Sequence, residues 1–389
     1  MPDAAAVEGD RLNMTARMRS VTFLALTALA LVAYQARLRH EMIDFVTWRQ
    51  AVVRALHAEP LYRPEDGHYQ FKYFPLFALA MAPFGLVDRE TGKLLWFGVL
   101  VGLLVAMLRW SITALPERRL PQRVLMWAAI VLMAKFFAHE LLLGQTNLLI
   151  GALLLSALVA VQRGQRAAAG AFVGLAVFVK PYALILAPWL LVTQAWPAAV
   201  MTALIVVAGL LMPAAVYGWG GNVDLLRGWL RTVSDSTMPN LLNNDNVSIA
   251  SMWAKWLGPG SLASGLAWLT MGATLILVVV VWRQRRAVPA PEYLECALLM
   301  LLIPLLSPQG WDYVLLLATP AVVCLVDRWR EFSRPWQGAV GVALALMCLT
   351  MFDIMGRALY GRFMSLSVVT VAALAVAVGL AHVRWRRLA

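Results

Sequence analysis

Tyr73-Phe74-Pro75-Leu76-Phe77-Ala78-Leu79-Ala80-Met81-Ala82-Pro83-Phe84-Gly85-Leu86-Val87 is the stretch on which the fold of this chain turns. It is apolar enough to resemble a membrane span, but Pro75 and Pro83 suit a short, broken element lying along or dipping into one leaflet. On that reading, the basic clusters that separate the later apolar runs all fall on one side of the membrane. They are Arg109, Arg118, Arg119 and Arg123; Arg163 and Arg166; Arg283, Arg285 and Arg286; Arg328, Arg330 and Arg334; and Arg384, Arg386 and Arg387. Arg11, Arg17 and Arg19 at the amino terminus share that side, so the positive-inside rule is satisfied throughout. A crossing at 73–87 would move every later cluster outside.

Composition sets the class. Hydrophobic residues make up 61% of the chain and charged residues 14%, and the mean hydropathy is +0.72. Apolar runs lie near 21–36, 92–108, 124–138, 147–162, 167–180, 182–196, 198–217, 263–282, 294–306, 311–327, 337–355 and 364–382. The expectation is an all-α polytopic membrane protein with about twelve transmembrane helices and further interfacial helices in its outer loops. Both termini fall in the cytoplasm. Residues 1–16 read as a cytoplasmic tail and 17–389 as one transmembrane domain, since no fixed-period repeat or low-complexity tract divides it. Arginines before Val21–Ala36 mimic a secretory signal, yet no convincing small-residue cleavage site follows, which favours an uncleaved anchor.

The net charge of +12 is distributed between spans, where it marks topology and contacts anionic lipid; a nucleic-acid role is set aside. Cys296, Cys324 and Cys348 sit in apolar runs and read as small buried hydrophobes. His139-Glu140 begins like a zinc-protease helix but lacks the second histidine at the required spacing, and the five histidines do not cluster, so no metal and no cofactor is expected.

The polar stretches assigned to the outer face are residues 37–91, the turn His139–Asn147, residues 218–262 and the turn Ser307–Asp312. In the first, Asp44 opens a segment whose Phe45, Trp48, Val52, Ala55 and Leu56 recur at helical spacing, so a flat-lying interfacial helix is expected. Asp44 either caps that helix or faces a site, and the two roles are compatible. Lys72 either snorkels to headgroups or binds a lipid phosphate. Lys180 interrupts the apolar run 167–196 beside Pro181, where an unpaired charge is costly, and so either marks a functional position or snorkels from a span end. Gly144-Gln145-Thr146-Asn147 is a polar turn between spans, equally an ordinary tight turn. Asn246 and Ser248 belong to a polar loop, solvated or hydrogen-bonding to hydroxyls.

Taken in order, Asp44-Phe45, Pro60-Leu61-Tyr62, Tyr73-Phe74-Pro75-Leu76-Phe77-Ala78, Gly144-Gln145-Thr146-Asn147, Gly174-Leu175-Ala176 leading to Lys180-Pro181-Tyr182, Asn246-Val247-Ser248, and Ser307-Pro308 followed by Trp311 resemble the landmarks of glycosyltransferase family 87. The resemblance spans roughly residues 40–330. It implies a GT-C-like fold and a polyprenyl-phosphate-mannose-dependent alpha-mannosyltransferase of the cytoplasmic membrane, with its active site on the outer face. The implied catalytic base is Asp44. Two departures stand out: Tyr73-Phe74-Pro75 replaces tyrosine-proline-proline, and Asp312 and Tyr313 follow Trp311 where a histidine is expected.

The partners then expected are a polyprenyl-phosphate sugar donor and a lipid or glycan acceptor. Lys72, Lys180 and Arg63 are candidates for the donor phosphate. Gln145, Asn147, Tyr182, Asn246, Ser248, Trp311 and Asp312 are candidates for sugar or acceptor. Because phosphate is already a competent leaving group, one carboxylate suffices, unlike the two that glycoside hydrolysis requires. A transporter or flippase of a lipid-linked sugar is the competing class, though its expected internal pseudo-repeat is missing. A noncatalytic subunit with the same fold is a third.

Overall fold

The computed structural model describes residue 32 and residues 34–386 apart from 68, 194 and 195. The expected cytoplasmic tail, most of the Val21–Ala36 anchor and Arg387 therefore lie outside the described residues. Those described are helical, and their one β-type pairing is an isolated bridge between Asn246 and Trp311.

In chain order the helices are α1 (Ile43–Leu56), α2 (Pro75–Ala80), α3 (Arg89–Thr113), α4 (Gln122–Leu143), α5 (Asn147–Gln162), α6 (Arg166–Val179), α7 (Ala187–Val192), α8 (Trp196–Leu211) and α9 (Ala214–Leu241). They continue as α10 (Ile249–Leu257), α11 (Ser261–Arg283), α12 (Glu292–Leu306), α13 (Thr319–Asp327), α14 (Arg334–Cys348), α15 (Phe352–Met355), α16 (Arg357–Ser365) and α17 (Val368–Arg386). Short 3₁₀ segments at Pro181–Leu186 and Asp312–Ala318 lead into α7 and α13.

Four helices are long and apolar enough to cross a bilayer: α3, α4, α11 with its short extension to Ala287, and α17. The pair α8 and α9, bent by 88°, with Gly218 leaving helical geometry at φ 69°, makes a fifth if taken together. The other apolar runs fold differently from uninterrupted spans. Helix α5 has 16 residues and α6 has 14, so they extend about 24 and 21 Å at 1.5 Å per residue, less than the hydrocarbon thickness. Runs 182–196 and 311–327 each start as 3₁₀ and become α, with a proline in the first turn of α7 and of α13. Residues 73–87 form α2 and a 3₁₀ turn at Ala82–Phe84, both too short to cross.

Helix α12 is the centre of the bundle: Tyr293 to Leu305 are all buried, the pattern of a helix surrounded by others. Helices α6 and α8 cross closely at Gly170, where an added Cβ would lie 2.0 Å from the carbonyl oxygen of Ala198; Thr202 Oγ1 donates to Gly170 O at 3.0 Å. Several basic residues do more than mark topology. Arg328 is buried and donates to Pro116 O and Glu117 O at 3.0 and 3.1 Å, while Asp327 accepts from the Arg119 and Leu120 amides. Glu295, with no exposed surface, receives Arg285, Arg384 and the Trp189 indole. These ties fasten the end of the bundle opposite the cavity described next.

Candidate functional site

Helix α1 docks on the end of α4. The Met42 amide donates to Leu142 O at 2.8 Å, and Phe45 and Trp48 turn inward, Trp48 meeting Phe77, Phe84 and Trp96 edge to face. Met42 occupies the cap position in a left-handed conformation and supplies no side-chain cap. Asp44, in the first turn, sits beside inward-facing Phe45 and lines a cavity of about 860 Å³. The Gln145 side chain lies close enough to its carboxylate to favour the ionised form. Capping therefore does not account for this aspartate.

The opposing wall comes from the turn after α4 and from the break between α6 and the following 3₁₀ segment. Gly144 ends α4 at φ 67°, and the chain turns into Gln145 and buried Thr146 and Asn147. Lys180 Nζ donates to Asn147 Oδ1 at 2.6 Å and to Gln145 Oε1 at 3.5 Å. Asn147 Nδ2 passes the connection on to Glu140 Oε2 at 2.8 Å, and the Leu148 amide donates to Glu140 Oε1 at 2.9 Å. The cation is thus held over a buried amide and a buried carboxylate, which offsets the cost of placing it there. Gln145 Nε2 also donates to Tyr313 OH at 3.2 Å, linking this turn to the one after α12.

Lys72 and Tyr73 line the same cavity. The Lys72 carbonyl accepts from the Trp229 indole of α9 at 3.1 Å, which fixes the loop under the amphipathic part of that helix. Burial pushes the Asp44 carboxyl above its ordinary range, opposed by the polar Gln145 side chain and by the charges of Lys180, His139 and Lys72. Burial also lowers Lys72, and the Asp44 charge works against that shift.

Of the residues singled out from sequence, Asp44, Lys72, Lys180, Gln145, Tyr182 and Trp311 all line this one cavity. Asn147 stands directly behind it under Lys180. Asp312 is buried behind the wall, with Oδ1 3.6 Å from His139 Nδ1. Three candidates sit elsewhere. Arg63 pairs with Glu59 at 2.6 Å and donates to Pro60 O, away from the lining. Asn246 is buried and bonds Asn240 O and Pro308 O, both at 3.0 Å, bracing the polar loop. Ser248 caps α10 by accepting from the Ser251 amide. His139, Tyr313 and Asp245 contribute to the lining or its support and were not among the candidates. For His139 the available signal was its position one turn from the outer end of an apolar helix.

The arrangement can remove a proton at Asp44 and neutralise an anion at Lys72 and Lys180. Apolar lining from Leu184, Ile185, Leu275, Ile303 and Leu306 continues from the charged part. A search of curated proteins finds no match. The family model of glycosyltransferase family 87 matches residues 71–308, more than half of the chain. The match includes Lys72, Gln145 and Lys180, with Asp44 before its start and Trp311 after its end; the chain belongs to glycosyltransferase family 87.

Proposed function

We propose that this membrane glycosyltransferase moves a hexose, mannose by family tendency, from a polyprenyl phosphate to a lipid or glycan acceptor. The reaction sits on the outer face of the cytoplasmic membrane. The observation that carries the reading is one cavity containing a carboxylate with a raised pKa and two lysines, continuous with an apolar lining suited to a prenyl chain. Its placement rests on the positive-inside distribution of arginines, and the GT-C-like arrangement counts the shorter and broken helices toward about twelve spans.

In the proposed reaction Asp44 takes the proton of the acceptor hydroxyl as that oxygen attacks the anomeric carbon. The bond from anomeric carbon to phosphate oxygen breaks, and its electron pair leaves with the polyprenyl phosphate. Lys180 and Lys72 neutralise charge on the departing group, a role suited to fixed donors in a site shielded from bulk water. In-line attack inverts the anomeric configuration, so a beta-linked donor yields an alpha-linked product. No metal is required, because the lysines supply the positive charge.

Asp44→Asn in purified, reconstituted protein should lower transfer from a radiolabelled polyprenyl-phosphate sugar by at least about a hundredfold with an unchanged melting temperature. Undiminished turnover would remove Asp44 from the mechanism.

A further inference from the structure

A second cavity, of about 520 Å³, opens between α3 and α5 at their carboxy-terminal ends. Both helices start at the candidate active site, since Trp96 donates to Gly144 O and Asn147 meets Lys180. Both finish together where Gln162 Nε2 donates to Ala114 O at 2.9 Å. Thirteen residues of α3 separate Trp96 from Arg109, about 20 Å along the axis. The groove is therefore distinct from the site of transfer and lies at the opposite end of the bundle.

Two guanidinium groups flank it, from Arg109 in the last turns of α3 and Arg163 at the end of α5. Among the described residues neither pairs with a carboxylate, whereas Arg328, Arg384 and Arg285 at the same end all do. Below the arginines the groove is lined by Gly102, Val105 and Ala106, and a Cβ added at Gly102 would meet nothing within 4 Å. Two free cations above an apolar slot between membrane helices match a phosphodiester headgroup with its acyl chain.

We propose that this groove is a binding site for an anionic phospholipid, the headgroup phosphate held between Arg109 and Arg163 and one acyl chain lying against Gly102. The recognition chemistry is that of a phosphate monoanion, and the apolar slot commits it to a lipid rather than a soluble phosphate. The inference does not depend on the identity of the transfer reaction, and its failure would leave that reading intact.

Native mass spectrometry of the full-length protein in detergent, titrated with phosphatidylglycerol or phosphatidylcholine, tests the site. Retention of phosphatidylglycerol should exceed that of phosphatidylcholine, and each of Arg109→Gln and Arg163→Gln should reduce that preference by about fivefold. Gly102→Leu fills the slot while leaving both arginines, so it should weaken phosphatidylglycerol binding and leave the weak competition by glycerol phosphate unchanged. Equal retention of the two lipids, or a preference that survives Arg109→Gln/Arg163→Gln, would overturn the proposal. Binding of glycerol phosphate that matches the lipid and ignores Gly102→Leu would also overturn it, by showing a soluble-phosphate site.

Discussion

At the residue scale, Asp44 and Lys72 pull each other's titration in opposite senses inside a partly desolvated cavity. In the proposed reaction Asp44 must be ionised to act as base, and burial has raised its pKa, so turnover should fall on acidification at a pH above the ordinary aspartate value of about 3.9. The same proposal needs Lys72 protonated against the donor phosphate, and burial has lowered its pKa, so turnover should fall on alkalinisation below the ordinary lysine value of about 10.4. A pH–rate profile should therefore be narrowed at both limbs. Lys72→Arg, which stays charged, should shift only the alkaline limb upward; an unmoved limb would assign it to another group. Asp44, Lys72 and Lys180 stand out in the sequence as charges among apolar runs, and the structure brings all three to one cavity. Asn246 and Ser248 misled for the reason that makes them useful to the fold: buried Asn and Ser serve backbone groups as readily as a sugar. His139 reads from sequence only as an incomplete zinc motif, because spacing shows that it lies near a helix end without showing that Tyr313 and Asp312 from the opposite turn flank it.

At the scale of elements, the position of α1 depends on how closely it can approach the turn after α4. A Cβ on Gly144 would lie 2.9 Å from Phe45 Cβ and 3.1 Å from Met42 Cε, and its φ of 67° is itself unfavourable for other residues. Gly144→Ala should cost about 1–2 kcal/mol in stability, read as a lowered melting temperature, and should reduce turnover more than stability alone explains. The excess would come from displacing Asp44 relative to Gln145. Full turnover in a variant that melts normally would show that α1 tolerates the shift. Sequence periodicity identified α1 and the break at 73–87, since both depend on local pattern and proline. The apolar runs at 147–162, 167–180 and 294–306 coincide with helices α5, α6 and α12, which have 16, 14 and 15 residues, fewer than the roughly 20 that cross a bilayer. Apolar character there reflects burial against other helices, and a helix need not be membrane-length to be apolar all round.

For the whole molecule, the carboxy-terminal ends of α3 and α5 and the transfer cavity occupy opposite ends of the bundle, so their sidedness can be measured separately. Cys296, Cys324 and Cys348 are buried, giving a quiet background for single-cysteine labelling in intact cells. Arg227→Cys, on the cavity side and exposed, should react with a membrane-impermeant maleimide; Arg118→Cys should react only after lysis. The reverse pattern would invert the topology and place the transfer cavity in the cytosol.

Helix α9 roofs the cavity and is fixed to protein on several sides. Gln309 Nε2 reaches Ser236 Oγ and Thr237 Oγ1 at 3.0 Å, Trp229 holds the Lys72 carbonyl, and Tyr217 OH donates to Glu59 O. Its seating is therefore supplied by the polypeptide rather than by pressure from surrounding lipid. Removing the bilayer should leave the roof in place, so micelle-solubilised enzyme given a short-chain, water-dispersible donor should turn over at rates comparable with proteoliposomes. A collapse on solubilisation, with the helical content intact, would mean that the membrane itself keeps the chamber closed.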